Sequence, residues 1–230
     1  MSPGYRVSAS FFAMKLNWAE RWAVNNPSRP IQQGLELRWM KRRRPLAAGS
    51  VVLEVGCGRG AGAALIRKEL QPAMLHAMDL DLEMLRRGRT YLLEGKRKDI
   101  SFYVADVLRI PVRDESLDAL FGFGVLHHVP DWDSALKEIV RVLKPGGVYY
   151  LEELYPSLYQ NFITKHILLH PRANRFRSGD LKRVLTSAGL DLDHLLEYSR
   201  VGILGISTKK FGLNMVGCQA RGQGPSGQKP

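Results

Sequence analysis

Two cysteines in 230 residues, Cys57 and Cys218, are too few for a disulfide framework, and neither stands at metal-ligand spacing from histidines or acids. A reducing compartment, with the cytoplasm as default, and a site without a metal are the expectations. No basic segment followed by a sustained apolar run opens the chain, and no stretch reaches the roughly 18 apolar residues of a membrane span. Internal repeats are absent as well. Acidic residues are the scarcer charge, 22 against 34 Lys plus Arg, which leaves a formal net charge of +12. That excess favours anionic partners such as nucleic acid or an anionic membrane surface. The basic residues nevertheless fall in separate runs, at 41–44, 86–89, 96–98, 172–177 and 209–210, which reads as several solvated faces rather than one binding stripe.

What is present is a strand feeding a glycine-rich turn. Val51-Val52-Leu53-Glu54-Val55 runs into Gly56-Cys57-Gly58-Arg59-Gly60, and a helical segment follows at Ala61. Glycines at 56, 58 and 60 permit backbone conformations closed to other residues and let a ligand approach where a Cβ would block it. Gly56-x-Gly58-x-x-Ala61 also satisfies the dinucleotide fingerprint, in which a pyrophosphate sits on the helix N-terminus. Glu54 opposes a pyrophosphate and suits an amine or sulfonium, whereas Arg59 pulls the other way.

From Ser50 onward strands and helices alternate, the pattern of a parallel sheet with helices on both faces. The strands are read at 51–55, 73–78, 100–105, 116–123 and 148–152, and then at 190–198 and 211–220. Asp79 ends the second strand at the spacing where an acid meets ribose hydroxyls, and Asp81 is read as the cap of the next helix. Asp106 follows the third strand, where an aspartate commonly serves as a turn residue capping its own backbone. Gly122-Phe123-Gly124-Val125-Leu126-His127-His128-Val129 marks the end of the fourth strand, where open α/β sheets place their reacting groups. His127 and His128 are candidate bases, since an imidazole can take a proton from a substrate hydroxyl. A structural role for them is the competing reading. Asp131 caps a helix over 132–143, Pro145-Gly146-Gly147 turns the chain into the fifth strand, and Ser178 is read as the cap of a helix over 179–187.

Three further segments complete the organisation. Residues 1–45 form a helical extension in which Phe11, Met14, Trp18 and Trp22 make one apolar stripe, either a lid or ordinary packing. A domain over 46–220 follows, interrupted at 155–176 by an insertion carrying Tyr155, Tyr159, Phe162, His166, His170 and Phe176. Residues 221–230, rich in Gly, Gln and Pro, are expected to be disordered.

With Glu54, the glycine turn, Asp79, Asp106 and the Lys-Pro-Gly-Gly turn in this order, residues 50–150 resemble the class I S-adenosylmethionine-dependent methyltransferases, in the group that includes the ubiquinone and menaquinone methyltransferases. The resemblance implies a Rossmann-like doubly wound α/β sheet, mostly parallel with a C-terminal antiparallel strand, and S-adenosylmethionine as cofactor. It places Glu54, Gly56, Cys57, Gly58, Asp79, Asp106, Val107, Phe123 and Gly124 around that cofactor. It gives Asp79 the ribose and Asp106 the adenine amine, and it sets the backbone at Phe123 and Gly124 beside the methionine end. In-line methyl transfer needs alignment more than covalent help, so the lack of a triad or metal motif is no objection. The aromatic insertion favours a small, partly apolar acceptor. The alternatives are an RNA-modifying methyltransferase, suggested by charge but lacking aromatic recognition motifs, a dehydrogenase, opposed by Glu54 and Asp106, and a cofactor-binding protein without activity.

Overall fold

The computed structural model describes residues 26, 28–91, 100–159 and 175–211. The apolar stripe at 11–22, most of the insertion and the terminal tail lie outside them. Helix α1 spans Arg29–Arg43, with Pro30 in its first turn, where a missing N–H costs nothing, and Lys41, Arg42 and Arg43 at its carbonyl end. There follow β1 (Val51–Val55), α2 (Ala61–Leu70), β2 (Met74–Asp79), α3 (Leu82–Tyr91), β3 (Ile100–Val104) and β4 (Leu117–Phe123). The rest comprises α4 (Trp132–Val142), β5 (Leu143–Leu154), the one-turn α5 (Pro156–Tyr159), α6 (Ser178–Ser187), β6 (Leu190–Tyr198) and β7 (Gly202–Lys209).

The seven strands form one sheet in the order β3-β2-β1-β4-β5-β7-β6. All neighbours from β3 through β5 are parallel, and β7 runs antiparallel to both β5 and β6. This is the doubly wound sheet that the alternating pattern predicts. Strand alternation sorts the core onto two faces. Leu53, Leu120, Tyr149 and Leu151 pack under α4 and α6. Val52, Phe121 and Tyr150 pack under α1 and α2, with Phe121 stacked on Tyr150 at 4.4 Å. The chain winds one way from β1 through β2 to β3 and the other way from β4 to β5, so the carboxyl ends of the paired strands β1 and β4 mark the switch point, the place where such sheets bind ligands.

Three boundaries differ from the sequence reading. The last strand is Gly202–Lys209 and not 211–220. Arg200 takes a left-handed conformation (φ 68°) and Val201 N–H closes on Tyr198 O, so β6 folds straight back. Gly202 and Gly205 are strand positions where backbone and side chains press close. A Cβ on Gly202 would lie 2.3 Å from Glu153 O. Strand β5 begins earlier than expected, because Leu143 already pairs with Leu117 before residues 144–147 loop out and pairing resumes at Val148. Finally, Ser178 is the first helical residue of α6 and not its cap; Arg177 holds that position, its N–H donated to the Asp180 carboxylate at 3.0 Å. Asp131 does cap α4, accepting the Ser134 N–H, and Asp81 accepts the Glu83 N–H at the start of α3.

Candidate cofactor site

The glycine loop adopts the backbone its sequence permits, with φ of 65°, 53° and 78° at Gly56, Gly58 and Gly60. Two constraints fix its shape from either side. A Cβ on Gly56 would meet Val125 Cγ2 at 2.6 Å, and one on Gly88 of α3 would meet the Arg59 carbonyl oxygen at 2.6 Å. The loop is therefore wedged between the turn after β4 and helix α3, with no room for side chains at those contacts. Asp79 ties it down: Oδ2 accepts the Gly58 N–H at 2.8 Å and Oδ1 the Asp81 N–H at 2.8 Å. Burial raises the Asp79 carboxyl despite these two bonds. Leu80 N–H adds a third backbone contact to that carboxylate, which also lies at the carboxyl edge where a ribose would need an acceptor.

Cys57 lies beneath the loop with its side chain in the core, so only its backbone can face a ligand; burial pushes its thiol well up, and the thiolate is disfavoured. Val107 and Phe123 are likewise core side chains, on opposite faces of the sheet. Asp106 uses Oδ1 to accept the Leu108 N–H at 2.9 Å, so the turn-capping role is present in the structure. It stands at the end of β3 on the carboxyl edge, alongside Asp79.

Glu54 is 2% exposed. It points to the same face of the sheet as Val52, toward α1 and α2, and presses on the start of α2, where a Cβ on Gly62 would lie 2.0 Å from its Oε1. The Ala63 N–H binds the carboxylate, but Oε2 has no partner. Burial, with Asp79 adding repulsion, pushes the Glu54 carboxyl up to about 8. The neighbouring helix contributes a second such group: burial and Glu152 push Glu36 up to about 7, and its Oε2 is also without a partner. Buried carboxyls with open oxygens fit a cationic ligand that brings N–H donors and oppose a pyrophosphate.

The end of β4 is built from residues the sequence reading passed over. Glu152 and Glu153 close β5 and, by strand alternation, face opposite sides. Glu152 receives both terminal nitrogens of Arg29, at 2.6 and 3.3 Å, bringing the start of α1 against the carboxyl edge. Burial works against the Arg29 charge, but Glu152, with Glu36 and Glu153, outweighs it and raises the guanidinium further. Glu153, fully buried, accepts the N–H groups of Val125, Leu126 and His127 at 3.1, 2.8 and 3.2 Å, and the His127 Nδ1 lies 2.8 Å away. Four donors saturate one carboxylate. The His127 and His128 rings lie 4.2 Å apart, tilted by 39°, and a Cβ on Gly124 would lie 3.2 Å from His127 Cε1 and 3.4 Å from Glu152 Oε2. Gly124, at φ 71°, is thus the floor on which the His127 ring, Glu152 and Arg29 converge. Of the two histidines, the structure fixes His127 and leaves His128 half-buried. The signal for Glu152 and Glu153 was legible in principle: two adjacent acids ending an apolar strand cannot both face water.

The raised carboxyls make a prediction for the free protein. Glu54 and Glu36 hold protons when folded at pH values where the unfolded chain has released them. Their contribution is full below about pH 4.5 and is lost as pH rises through about 7 and 8. Melting temperature should therefore fall by several degrees between pH 5 and pH 8.5, an effect on the order of a few kcal/mol. Glu54→Gln should flatten that slope, and an equal slope in the variant would assign it elsewhere. Asp118, Glu138 and Glu197, lowered by Lys144, Arg141 and Lys182, act in the opposite sense and only in the acid range.

A doubly wound sheet with a glycine loop after β1 and acids following β2 and β3 at the carboxyl edge is the arrangement of nucleoside-binding domains. The "Methyltransferase domain" family matches residues 53–151, and this part of the chain belongs to it, as a class I S-adenosylmethionine-dependent methyltransferase domain with S-adenosylmethionine as its cofactor. The chain is 33% identical over 129 residues to the sterol 24-C-methyltransferase of Aspergillus fumigatus, a match covering 56% of this chain and 34% of that protein. It is 29% identical over 200 residues to the ubiquinone biosynthesis O-methyltransferase of Thiobacillus denitrificans, covering 81% and 83%. Against most of the first curated relatives it spans less than half their length. Among solved structures, the complex of the Haloferax volcanii Trm112 activator with a methyltransferase overlays at a TM-score of 0.70 with 19% identity, covering 84% of this chain and 96% of that one, a likeness of fold. Among the described residues, no helix is long and apolar enough to cross a membrane, and no cluster of His, Cys, Asp and Glu could hold a metal ion.

Proposed function

We infer that the protein moves the methyl group of S-adenosylmethionine to a small, aromatic or partly apolar molecule held above Gly124. The observation that carries this reading is the convergence at the carboxyl edge: Asp79 and the glycine loop on one side of the crevice, Glu54 and Glu152 with open or charged oxygens on the other, and the His127 ring beside Gly124. When bound, the cofactor supplies an electrophilic methyl on a sulfonium. The chain's own residues bind and align. Glu54 and Glu152 place negative charge near the cationic end, Asp79 offers its carboxylate to ribose hydroxyls, and Asp106 stands where an adenine amine can donate to it.

His127 is the base in this reading. Its Nδ1 lies 2.8 Å from Glu153, and the carboxylate behind it stabilises the imidazolium that forms when the ring takes a proton from the acceptor's hydroxyl. The relatives named for sterol and ubiquinone chemistry support an acceptor that is largely apolar.

The test is transfer of labelled methyl from S-adenosylmethionine to a panel of catechols, quinols, sterols and small amines, with an unmodified RNA as comparison. Label should enter an apolar small molecule, and His127→Asn should lower turnover about a hundredfold or more with cofactor binding kept. Label entering RNA alone would reverse the choice of acceptor class, and full activity in His127→Asn would return the histidine to a structural role.

A further inference from the structure

Exposed large apolar side chains are spread unevenly over the described residues. Met74 and Phe211 lie at the amino edge of the sheet and Leu35 on the outer side of α1, whereas Ile31, Leu82 and Val104 stand at the carboxyl edge. The remaining four crowd one corner of that same edge, where β6 turns back into β7. Leu196 is 38% exposed, Tyr198 69% and Val201 44%, with Leu158 of α5 at 38%. Hydrogen bonds tie this corner together: Val201 N–H closes on Tyr198 O, Tyr155 N–H on Val201 O at 2.9 Å, Leu158 N–H on Tyr155 O at 2.9 Å, and Ser157 Oγ donates to Arg200 O at 2.8 Å. A single exposed apolar residue needs no explanation, but four on one such tip do. The corner is also near the candidate site. Gly124 N–H binds Glu152 O, and β5, β7 and β6 follow β4 in the sheet, so at about 4.8 Å per strand the tip stands roughly 10 to 15 Å along the edge from Gly124. Its charge is positive. Arg177, Lys182, Arg183 and Arg200 face two acids, Asp180 and Glu197, which Arg183 and Lys182 already hold; Arg177 and Arg200 are exposed.

We propose that this corner docks the protein on an anionic lipid surface: Leu158, Leu196, Tyr198 and Val201 enter the headgroup boundary, and Arg177 and Arg200 meet the lipid phosphates. Tyrosine and aliphatic side chains flanked by cations suit that boundary, where an amphipathic ring lies among headgroups and apolar groups sink a few ångströms deeper. A turn tip is a point, whereas a stable protein interface needs a face of roughly 1,000 Å². The contact is a peripheral one, since no helix among the described residues is long and apolar enough to span a bilayer. Docked by this corner, the molecule turns its carboxyl edge, with Gly124 and His127, toward the lipid in which an apolar acceptor dissolves. That consequence rests on the acceptor reading above, whereas the docking itself does not.

The test is co-sedimentation of the full chain with vesicles of phosphatidylcholine alone and of phosphatidylcholine mixed with phosphatidylglycerol. The protein should pellet with the mixed vesicles and far less with the neutral ones, and added salt should release it. Tyr198→Asp and Val201→Asp should each weaken the binding about tenfold or more. Arg200→Gly keeps the left-handed turn at φ 68° while removing a cation, and should weaken it about fivefold. Phe211→Ser, at the amino edge, should bind as the wild type does, and circular dichroism should show all four variants folded. Equal pelleting with both vesicles would contradict the role of charge, and no pelleting with either would end the proposal. Binding untouched by the three corner variants would place the contact elsewhere on the chain. A wild-type mass twice that of the chain by light scattering, halved in Tyr198→Asp, would make the corner an interface between copies instead. Methyl transfer to a soluble acceptor without vesicle binding would overturn docking and leave the acceptor reading standing; vesicle binding without transfer would do the reverse.

Discussion

Glu153→Ala should destabilise the protein by about 3 to 5 kcal/mol, because it leaves three backbone N–H groups and an imidazole nitrogen facing a buried void. That is a large share of the roughly 5 to 15 kcal/mol by which domains are stable. Urea unfolding would measure it as a lower midpoint with little change in slope. Glu153→Gln keeps a carbonyl oxygen for part of the set and should fold, with a smaller loss of stability. Its turnover should nonetheless drop, because an amide neither holds the His127 tautomer as firmly nor stabilises an imidazolium. That separation of stability from rate distinguishes a residue that positions the base from one that only holds a turn. Wild-type stability in Glu153→Ala would mean that these bonds are replaced by water, and the turn after β4 would lose its assigned support.

The second large effect is expected at Asp79. Alanine there removes the acceptors for Gly58 N–H and Asp81 N–H together with the proposed ribose contact. Adenosylhomocysteine should bind about a hundredfold more weakly, from about 1.5 to 3 kcal/mol for hydrogen bonds to a charged group and a further loss as the glycine loop loosens. The domain should remain folded, since the loop is a rim and not the core. Asp79→Asn should fall between, keeping one acceptor oxygen of two. Removing the Asp79 charge also relieves Glu54, whose carboxyl should then move down from about 8. Unchanged affinity in a folded Asp79→Ala protein would transfer the ribose to another residue. Asp81 would be the first to examine, although its carboxylate already caps α3.

The sheet was legible from sequence because its parallel strands are short apolar runs separated by helical stretches, and each strand end carries a glycine or an acid. Glu54, Gly56, Asp79 and Asp106 stand out in the sequence for that reason. What stayed hidden lies in two kinds of place. Glu152 and Glu153 look like one acidic strand terminus; only the pairing of β5 with β4 sends one to Arg29 and the other to His127. Arg29, Gln33 and Glu36 look like the polar side of a helix, because nothing in a linear pattern shows that α1 folds back over the carboxyl edge. The misplaced β7 has a third cause. Gly202 and Gly205 lie inside the true strand, where a Cβ would press on Glu153 O and crowd Leu151, contacts that no linear pattern displays.

One measurement bears most directly on the claim that this crevice is an adenosylmethionine site: calorimetric titration of the wild-type chain with adenosylhomocysteine and, separately, with NAD. Buried acids at the carboxyl edge, Glu54 and Glu152, can charge or reorganise for an ammonium-bearing ligand but supply no cation for a pyrophosphate, so binding heat is expected for adenosylhomocysteine and none for NAD. Tight NAD binding with no response to adenosylhomocysteine would contradict the account.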